Sequence, residues 1–565
     1  ARRAPTPTNA QPDFPGAVWL AAAVYGLFVY LLMPRAVFAL SDDFAYLRSV
    51  VLTLQHGRPW TDEWLEPWNA GFASLSAVVF WITKNFHFAT YGLLGILAGT
   101  FFFGVCRLLQ SRGLATWTAI ALAGIGLTFP TMFWKTVDFT GVALYAPCLV
   151  LALGAAEKRR WGWFLVWWAL ALSTRQSALV WGVLPLAAYY EDWRTDQRTG
   201  RAWFLPVFVV TVGALLFRGL ASSMNETMAQ RAITGRAWEL WDWRTAASGW
   251  AIGAVVLLVA LGLAAIVARF VVSGKTTARA WPKPLLAVGL VAVAVLLWMK
   301  PGDFISFEHA GFESIAGALD LKLVVLLAGT GLLLGRFAFR PVPLAGALAA
   351  VAVLGARSLI WDYYLLEVAV FGFFAMEANS DGREPAGSWR LAWLAPAALL
   401  VGLNATAIVR FKAEMDRCHA VCALGSEALE SGRLPPDEAS FLPFGLMAWY
   451  YFPLYLQHDG AGGKDPADFG RYLKQDTVAI AWRFSKPLRG LHDHDGDLPA
   501  DRSAEIIEGK FNYCWFYGAE VVLLRNPSSQ VRPAKSPYPG GYALPPFPRD
   551  NAGWRALIEQ RRARE

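Results

Sequence analysis

Apolar runs of roughly 17–25 residues recur from about residue 16 to about residue 410, and this recurrence leaves the chain few ways to fold. Each run matches the roughly 30 Å of a bilayer's hydrocarbon core. Hydrocarbon offers the backbone no water, so such runs must satisfy their amides internally, as helices. The composition agrees: 56% of the 565 residues are hydrophobic and only 17% are charged, where a soluble domain carries roughly 25% charged residues. The chain therefore reads as a polytopic α-helical membrane protein. About 13 transmembrane helices fit this template. Approximately centred, they fall at 17–38, 88–106, 114–130, 139–155, 161–174, 176–190, 202–219, 248–271, 283–299, 320–335, 342–356, 359–377 and 391–409. Residues 1–15 are basic and Pro-rich and read as a disordered cytoplasmic segment. The run that follows lacks a small-residue cleavage site and reads as an anchor.

The connections sort into two alternating sets. "CRLLQSRG", "EKRR", "EDWRTDQRTGR", "SGKTTARAWPK", "GRFAFRP" and "SDGREPAGSWR" are short and rich in Lys and Arg, which assigns them to the cytoplasm. The other set, 39–87, 131–138, 220–247 and 300–319, is richer in acids and aromatics and reads as outer. Within it, "GFASLSAVVFWIT" at 71–83 has only 13 residues, a length that suits a re-entrant or interfacial helix. Residues 39–87 thus form one long first outer loop, and the three Trp of "PWTDEWLEPW" favour the interface. The membrane part covers 16–410. From 411 to 565 turn-rich segments alternate with strand-like ones such as "TVAIAW" and "AEVVLLR", the pattern of a soluble outer domain of mixed or mainly β character.

The net charge of +8 follows the short connections and forms no nucleic-acid surface. Cys106 and Cys148 lie in apolar runs as core residues, and Cys418, Cys422 and Cys514 leave room for one disulfide in the tail. The acids and histidines of "HDHDGD", 492–497, have metal-ligand character, and a solvated turn explains them as well.

With this topology several ionisable groups collect at the outer rim, where an unpartnered charge is costly and so points to function. Asp42 and Asp43 follow the first span in "FALSDDFAYLRSV". Asp138 and Lys135 share "FWKTVDFTG", Arg175 stands alone in "LALSTRQSALVW", and Arg357 precedes Asp362, Tyr363 and Tyr364 in "LGARSLIWDYYLLE". Arginine binds phosphate oxygens with two parallel donors and keeps its charge at any working pH. A carboxylate can take the proton of an attacking hydroxyl, and a second one beside it can orient it or hold a divalent cation. This points to transfer from an anionic lipid carrier. Each residue also has a plainer role: Asp42 or Asp43 as a helix N-cap, Asp138 as partner to Lys135, Arg175 as a topological stop, Arg357 snorkelling to headgroups.

These motifs and their placement resemble the GT-C superfamily of polyprenyl-phosphate-sugar glycosyltransferases. The group includes protein O-mannosyltransferases, the aminoarabinose transferase that modifies lipid A, and mycobacterial arabinosyltransferases. The likeness lies in the long first outer loop opened by acids, a second acid in the next outer loop, about 13 spans and a C-terminal outer domain. The resemblance implies a general base at Asp43 or Asp42 of "SDDFAY" and an orienting or metal-binding role for Asp138. It implies donor-phosphate binding by Arg175, with Arg357 and Lys135 beside it. "TRQSALVW" is similar to the "RQTNIVW"-type segment of glucosyltransferases that use dolichyl-phosphate glucose. "WDYYLLE" is similar to a late "RYLLP"-type segment, but here the Arg lies several residues earlier and the Pro is missing. Trp60, Trp64 and Tyr364 are candidate acceptor or sugar contacts; Trp68, Trp238, Trp241 and Trp243 have the same aromatic character, and interfacial anchoring explains the tryptophans equally well.

The implied reaction is inverting transfer of a sugar from a polyprenyl phosphate to an acceptor hydroxyl on a glycan, glycolipid or protein. It would occur at the periplasmic face of a bacterial inner membrane, in cell-envelope synthesis. No cofactor is called for with certainty, and the acids leave room for a divalent cation (Mg, Mn or Ca). Two other readings stay open. Arg231, Arg236 and Arg244 in 220–247 suit a polymerase or ligase of diphosphate-linked glycans. A non-enzymatic lipid or solute transporter would instead place polar residues deep in its spans.

Overall fold

The computed structural model describes residues 15–33, 43–61, 70–128, 130–137, 139–194, 243–271, 338–355, 365–377 and 550–562, with short strands and isolated residues elsewhere. Four expected spans, 202–219, 283–299, 320–335 and nearly all of 391–409, lie outside the described residues.

The described part is mostly helical. Its first helices are α1 (Pro15–Leu32), α2 (Asp43–His56) and α3 (Ala70–Thr83). A π-turn at Phe88–Gly92 opens α4 (Leu93–Ser111), and α5 (Thr116–Thr128) and α6 (Pro130–Val137) follow. Next come α7 (Gly141–Glu157), α8 (Trp161–Leu172), a 3-10 segment (Gln176–Gly182) and α9 (Val183–Arg194). Then come α10 (Trp243–Val271), α11 (Pro341–Leu354), α12 (Leu365–Phe374) and, at the C-terminus, α13 (Asn551–Arg562). Among the described residues Phe88–Ser111, with 24 residues, is long and apolar enough to cross a bilayer, and eight apolar helices of 10–17 residues accompany it.

The first helix is apolar on both sides. In α1, Val18, Ala22, Tyr25 and Val29 pack inward, while Trp19, Leu20, Val24, Leu27 and Leu31 face outward and stay largely exposed. A helix in water carries polar residues on its outer face; one apolar all round belongs in hydrocarbon.

Hydrocarbon gives little hydrophobic gain for bringing helices together, so close backbone packing matters more. Gly26 of α1 faces Gly95 of α4, and a β-carbon on Gly26 would lie 2.5 Å from the Gly95 carbonyl oxygen. One turn on, a β-carbon on Gly99 would lie 2.7 Å from the Ala22 carbonyl oxygen. Gly95 and Gly99 form a Gly-x-x-x-Gly stripe on one face of α4, and Ala22 and Gly26 answer it on α1. On another face Gly104 packs against Val150 and Gly154 near Leu108, so α4 and α7 run in parallel.

The helix order defines two ends of the bundle. At one end α4 finishes in a Schellman turn. Gly113, at φ +84°, donates its N–H to Gln110, and the Leu114 N–H reaches back to Leu109. α7 finishes beside it in the same way, through Arg159 to Ala156 and Arg160 to Ala155. Here Arg159, at φ +57°, occupies the left-handed position. Its strain is offset by hydrogen bonds to Asp192 at 2.7 Å and Glu191 at 3.0 Å at the end of α9. Burial by itself works against the Arg159 charge, but Asp192 and Glu191 more than offset this and raise its pKa. Lys158 is shifted downward, first by burial and then by Arg107 and Arg160. In the same layer Arg112 forks onto both oxygens of Glu157 at 2.9 Å and donates to the Phe374 carbonyl at 2.7 Å. Arg340 stands 3.7 Å from Glu157. The described parts of four Lys/Arg-bearing connections, 106–113, 157–160, 191–194 and 338–341, thus meet at one end.

At the opposite end α3 begins against the turn after α8, where the Gly71 N–H donates to the Ser173 carbonyl at 2.9 Å. It finishes in the turn that opens α4, with Phe80 edge-on to Phe86. Both ends of α3 therefore lie at the same end of the bundle, and α3 does not cross it. α13 docks here as well. Trp554 stacks on Phe86 with ring centroids 4.2 Å apart, and the Asn551 Oδ1 accepts the Phe86 N–H at 2.6 Å. In the chain between α12 and α13 come strands β1 (Ala439–Phe441), β2 (Val478–Phe484), β3 (Gly509–Cys514) and β4 (Tyr517–Leu524), in sheet order β1-β2-β4-β3. β1 and β2 are parallel, and the other pairs are antiparallel. The strand-like segments "TVAIAW" and "AEVVLLR" fall largely on β2 and β4.

Candidate functional site

The turn that carries Arg175 is built from hydroxyls. α8 runs out of partners at its C-terminus inside an apolar surrounding, where each orphan carbonyl is costly. Ser173 Oγ donates to the Leu170 carbonyl and Thr174 Oγ1 to the Ala171 carbonyl, both at 2.7 Å. The Ala171 carbonyl also takes the Arg175 N–H at 2.9 Å, so the hydroxyls reinforce a backbone turn that ends α8. Arg175 then extends, at φ −152° and ψ 134°, before the 3-10 segment begins. Its side chain is half-buried, and its guanidinium carbon lies 6.0 Å from the centre of the Tyr145 ring. The Tyr145 hydroxyl in turn shares a 3.0 Å hydrogen bond with Ser177 Oγ.

Three other chain segments close on this turn. Gly71, at the start of α3, sits so tightly that a β-carbon would meet Ser173 Oγ at 2.0 Å. Phe72, beside it, is edge-on to Tyr46 of α2 at 6.0 Å and 4.7 Å from Phe139. Gly141, the first residue of α7, would place a β-carbon 3.3 Å from the Tyr46 hydroxyl and 3.4 Å from the Thr174 carbonyl oxygen. Tyr46, Phe72, Phe139 and Thr174 are all buried. The start of α2, the start of α3, the 139–141 turn and the Thr174–Arg175 turn therefore share one neighbourhood.

Of the residues expected from sequence, this neighbourhood includes Arg175 and the backbone of Asp43. Asp43 is the first residue of α2, one helical turn before Tyr46. Asp138 directly precedes Phe139 in the chain, and Lys135 belongs to α6. Asp42, Asp138, Arg357, Trp64 and Tyr364 lie outside the described residues, as do Trp68, Trp238, Trp241 and 492–497. Trp60 is elsewhere: it follows the far end of α2, about 20 Å of helix from Asp43. Its ring stacks on His56 at 4.1 Å, with the Arg58 guanidinium 4.9 Å from its centre. Candidate cation ligands are the carboxylates of Asp42, Asp43 and Asp138; among the described residues no three His, Cys, Asp or Glu gather.

Sequence reasoning passed over Tyr46, Tyr145 and Glu367. Glu367 is a lone acid in "LLEVAVFGFF", and an ionisable residue inside an apolar run was signal enough to single it out. It is buried, and its Oε1 accepts a 3.0 Å hydrogen bond from Trp181 Nε1.

No family model and no curated protein matches the chain. Among solved structures, it is similar to that of ArnT from Cupriavidus metallidurans bound to undecaprenyl phosphate. The likeness has 15% identity, covers 90% of this chain and 98% of that one, and has a TM-score of 0.39. At that level an activity has to be argued from the residues of the site.

Proposed function

We propose that the chain is an inverting membrane glycosyltransferase of the GT-C type, moving a sugar from a polyprenyl phosphate to an acceptor hydroxyl at the outer face. The observation that carries this is the meeting of the Arg175 turn with the starts of α2 and α7. It gathers the backbone on either side of an arginine and two acids at one end of an apolar bundle. A lipid donor brings its phosphate to that depth, and an arginine at the rim is the group to receive it.

In this mechanism Arg175 grips the donor phosphate, helped by Arg357 and Lys135. The acceptor oxygen attacks the anomeric carbon as the bond from that carbon to the phosphate oxygen breaks. The hydroxyl proton passes to Asp43, which Asp42 and Asp138 orient, and polyprenyl phosphate leaves. A guanidinium already in place stabilises the charge that develops on the leaving group, the largest contribution the site can make. One displacement inverts the anomeric centre. A divalent cation held by Asp138 would add to the same stabilisation. Trp64 and Tyr364 serve the acceptor path, and the tail from 411 is a periplasmic soluble domain.

Asp43→Asn tests this. Lipids extracted from cells producing wild type or Asp43→Asn are compared by mass spectrometry. A polyprenyl-phosphate sugar that accumulates only with the variant identifies a donor held and not consumed. Identical lipid profiles together with a transport defect would remove the transferase reading.

A further inference from the structure

Glu367 takes no part in the reaction just described, yet it is a carboxyl group 4% exposed within the bundle. An aliphatic residue would fill that place without the cost of burying an acid. Its partner, Trp181, is fully buried and belongs to the 3-10 segment that follows Arg175. A 3-10 helix has poorer internal hydrogen bonds than an α-helix and rarely runs beyond 3–4 residues; this one has seven. It is held from outside at three points: Trp168 Nε1 donates to the Ala178 carbonyl at 2.6 Å, Ser177 bonds Tyr145, and Trp181 bonds Glu367. The Trp181 ring lies 5.1 Å from Tyr145, the ring beneath the Arg175 guanidinium. The chain of contacts therefore runs from Glu367 through Trp181 and Tyr145 to Arg175.

We infer that Glu367 is a positioning residue for the donor phosphate. Its bond with Trp181 fixes the segment Gln176–Gly182 and, through Tyr145, the direction in which Arg175 presents its guanidinium. The inference rests on Arg175 as the phosphate-binding group. An arginine grips phosphate through paired, directed bonds, so a small rotation of its support costs affinity while the fold survives.

The test is the affinity of the full-length protein in nanodiscs for undecaprenyl phosphate, with unfolding temperatures measured alongside. Arg175→Lys, which loses the fork, should weaken binding about tenfold. Glu367→Leu and Trp181→Phe should each weaken it by about the same factor. Glu367→Gln keeps a carbonyl oxygen for the Trp181 N–H and should bind within about twofold of wild type. In Arg175→Lys/Glu367→Leu the second change should add nothing, because both act on one contact with the phosphate. A purely structural role would instead weaken the double variant by the product of the two factors, and that result would overturn the inference. So would wild-type affinity in both Glu367→Leu and Trp181→Phe while Arg175→Lys is impaired. If Glu367→Leu does not fold, Trp181→Phe decides alone. A wild type that does not bind undecaprenyl phosphate removes the donor reading and this inference with it.

Discussion

Arg112 and Glu157 show how a buried charge can hold a bundle together only as a set. Their side chains are 5% and 10% exposed, and each guanidinium donor that faces Glu157 meets its own oxygen. The Phe374 carbonyl takes a further bond from Arg112, and Arg340 adds a second positive charge near Glu157. Removing the acid alone takes away the counter-charge of the buried Arg112 guanidinium and leaves the partly exposed Arg340 nearby. Glu157→Gln should therefore cost about 3–5 kcal/mol, read from unfolding in detergent. Arg112→Met/Glu157→Leu removes both charges and should return most of that loss, since a well-packed apolar pair often matches a buried ion pair. Equal losses in the single and double variants would mean that packing, and not charge, is what these residues supply.

Among the elements, α1 and α4 depend on the absence of side chains. Gly95 lies against the Gly26 carbonyl, a β-carbon there would fall at 2.6 Å, and backbone cannot yield as a flexible side chain does. Gly95→Leu should destabilise by about 3 kcal/mol, near the upper end for overpacking. Gly124 and Gly126 of α5 make the opposite case, since a β-carbon on either meets nothing within 4 Å. Gly124→Ala should stabilise by up to about 1 kcal/mol, because alanine is the better helix former. Thermal unfolding of the two variants side by side gives the contrast. The Gly95-x-x-x-Gly99 spacing is legible in the sequence, but which helix it meets is not, because every neighbouring run is equally apolar. The 13-residue run at 71–83 is short for a crossing, and both ends of α3 lie at one end of the bundle. The Trp181–Glu367 bond joins residues 186 apart in sequence, and no local pattern encodes such a pairing.

The molecule as a whole has two chemically distinct ends, separated by the 24 residues of Phe88–Ser111, about 36 Å of helix. That division was readable from the connections, because basic residues sort by side of the membrane and the apolar runs set the alternation. Of the proposed site, Arg175 and the acids carry charges that mark them in the sequence, whereas the tyrosines of the same neighbourhood carry none. The docking of α13 adds what the alternation could not: the C-terminal helix returns to the Arg175 end, fixed by Trp554 on Phe86 and by Asn551. Ala552 of α13 and Lys158 of the turn after α7 are both exposed, and they mark opposite ends. In a background with the five native cysteines replaced, Ala552→Cys should react with an impermeant maleimide on intact spheroplasts. Lys158→Cys should react only after permeabilisation, because its basic neighbours Arg107 and Arg160 belong inside. Labelling of both in intact spheroplasts would mean that the bundle does not separate two compartments. The reversed pattern would put Arg175 on the inner face, where a donor would have to be presented from the cytoplasmic leaflet, and the proposed direction of transfer would fall with the topology.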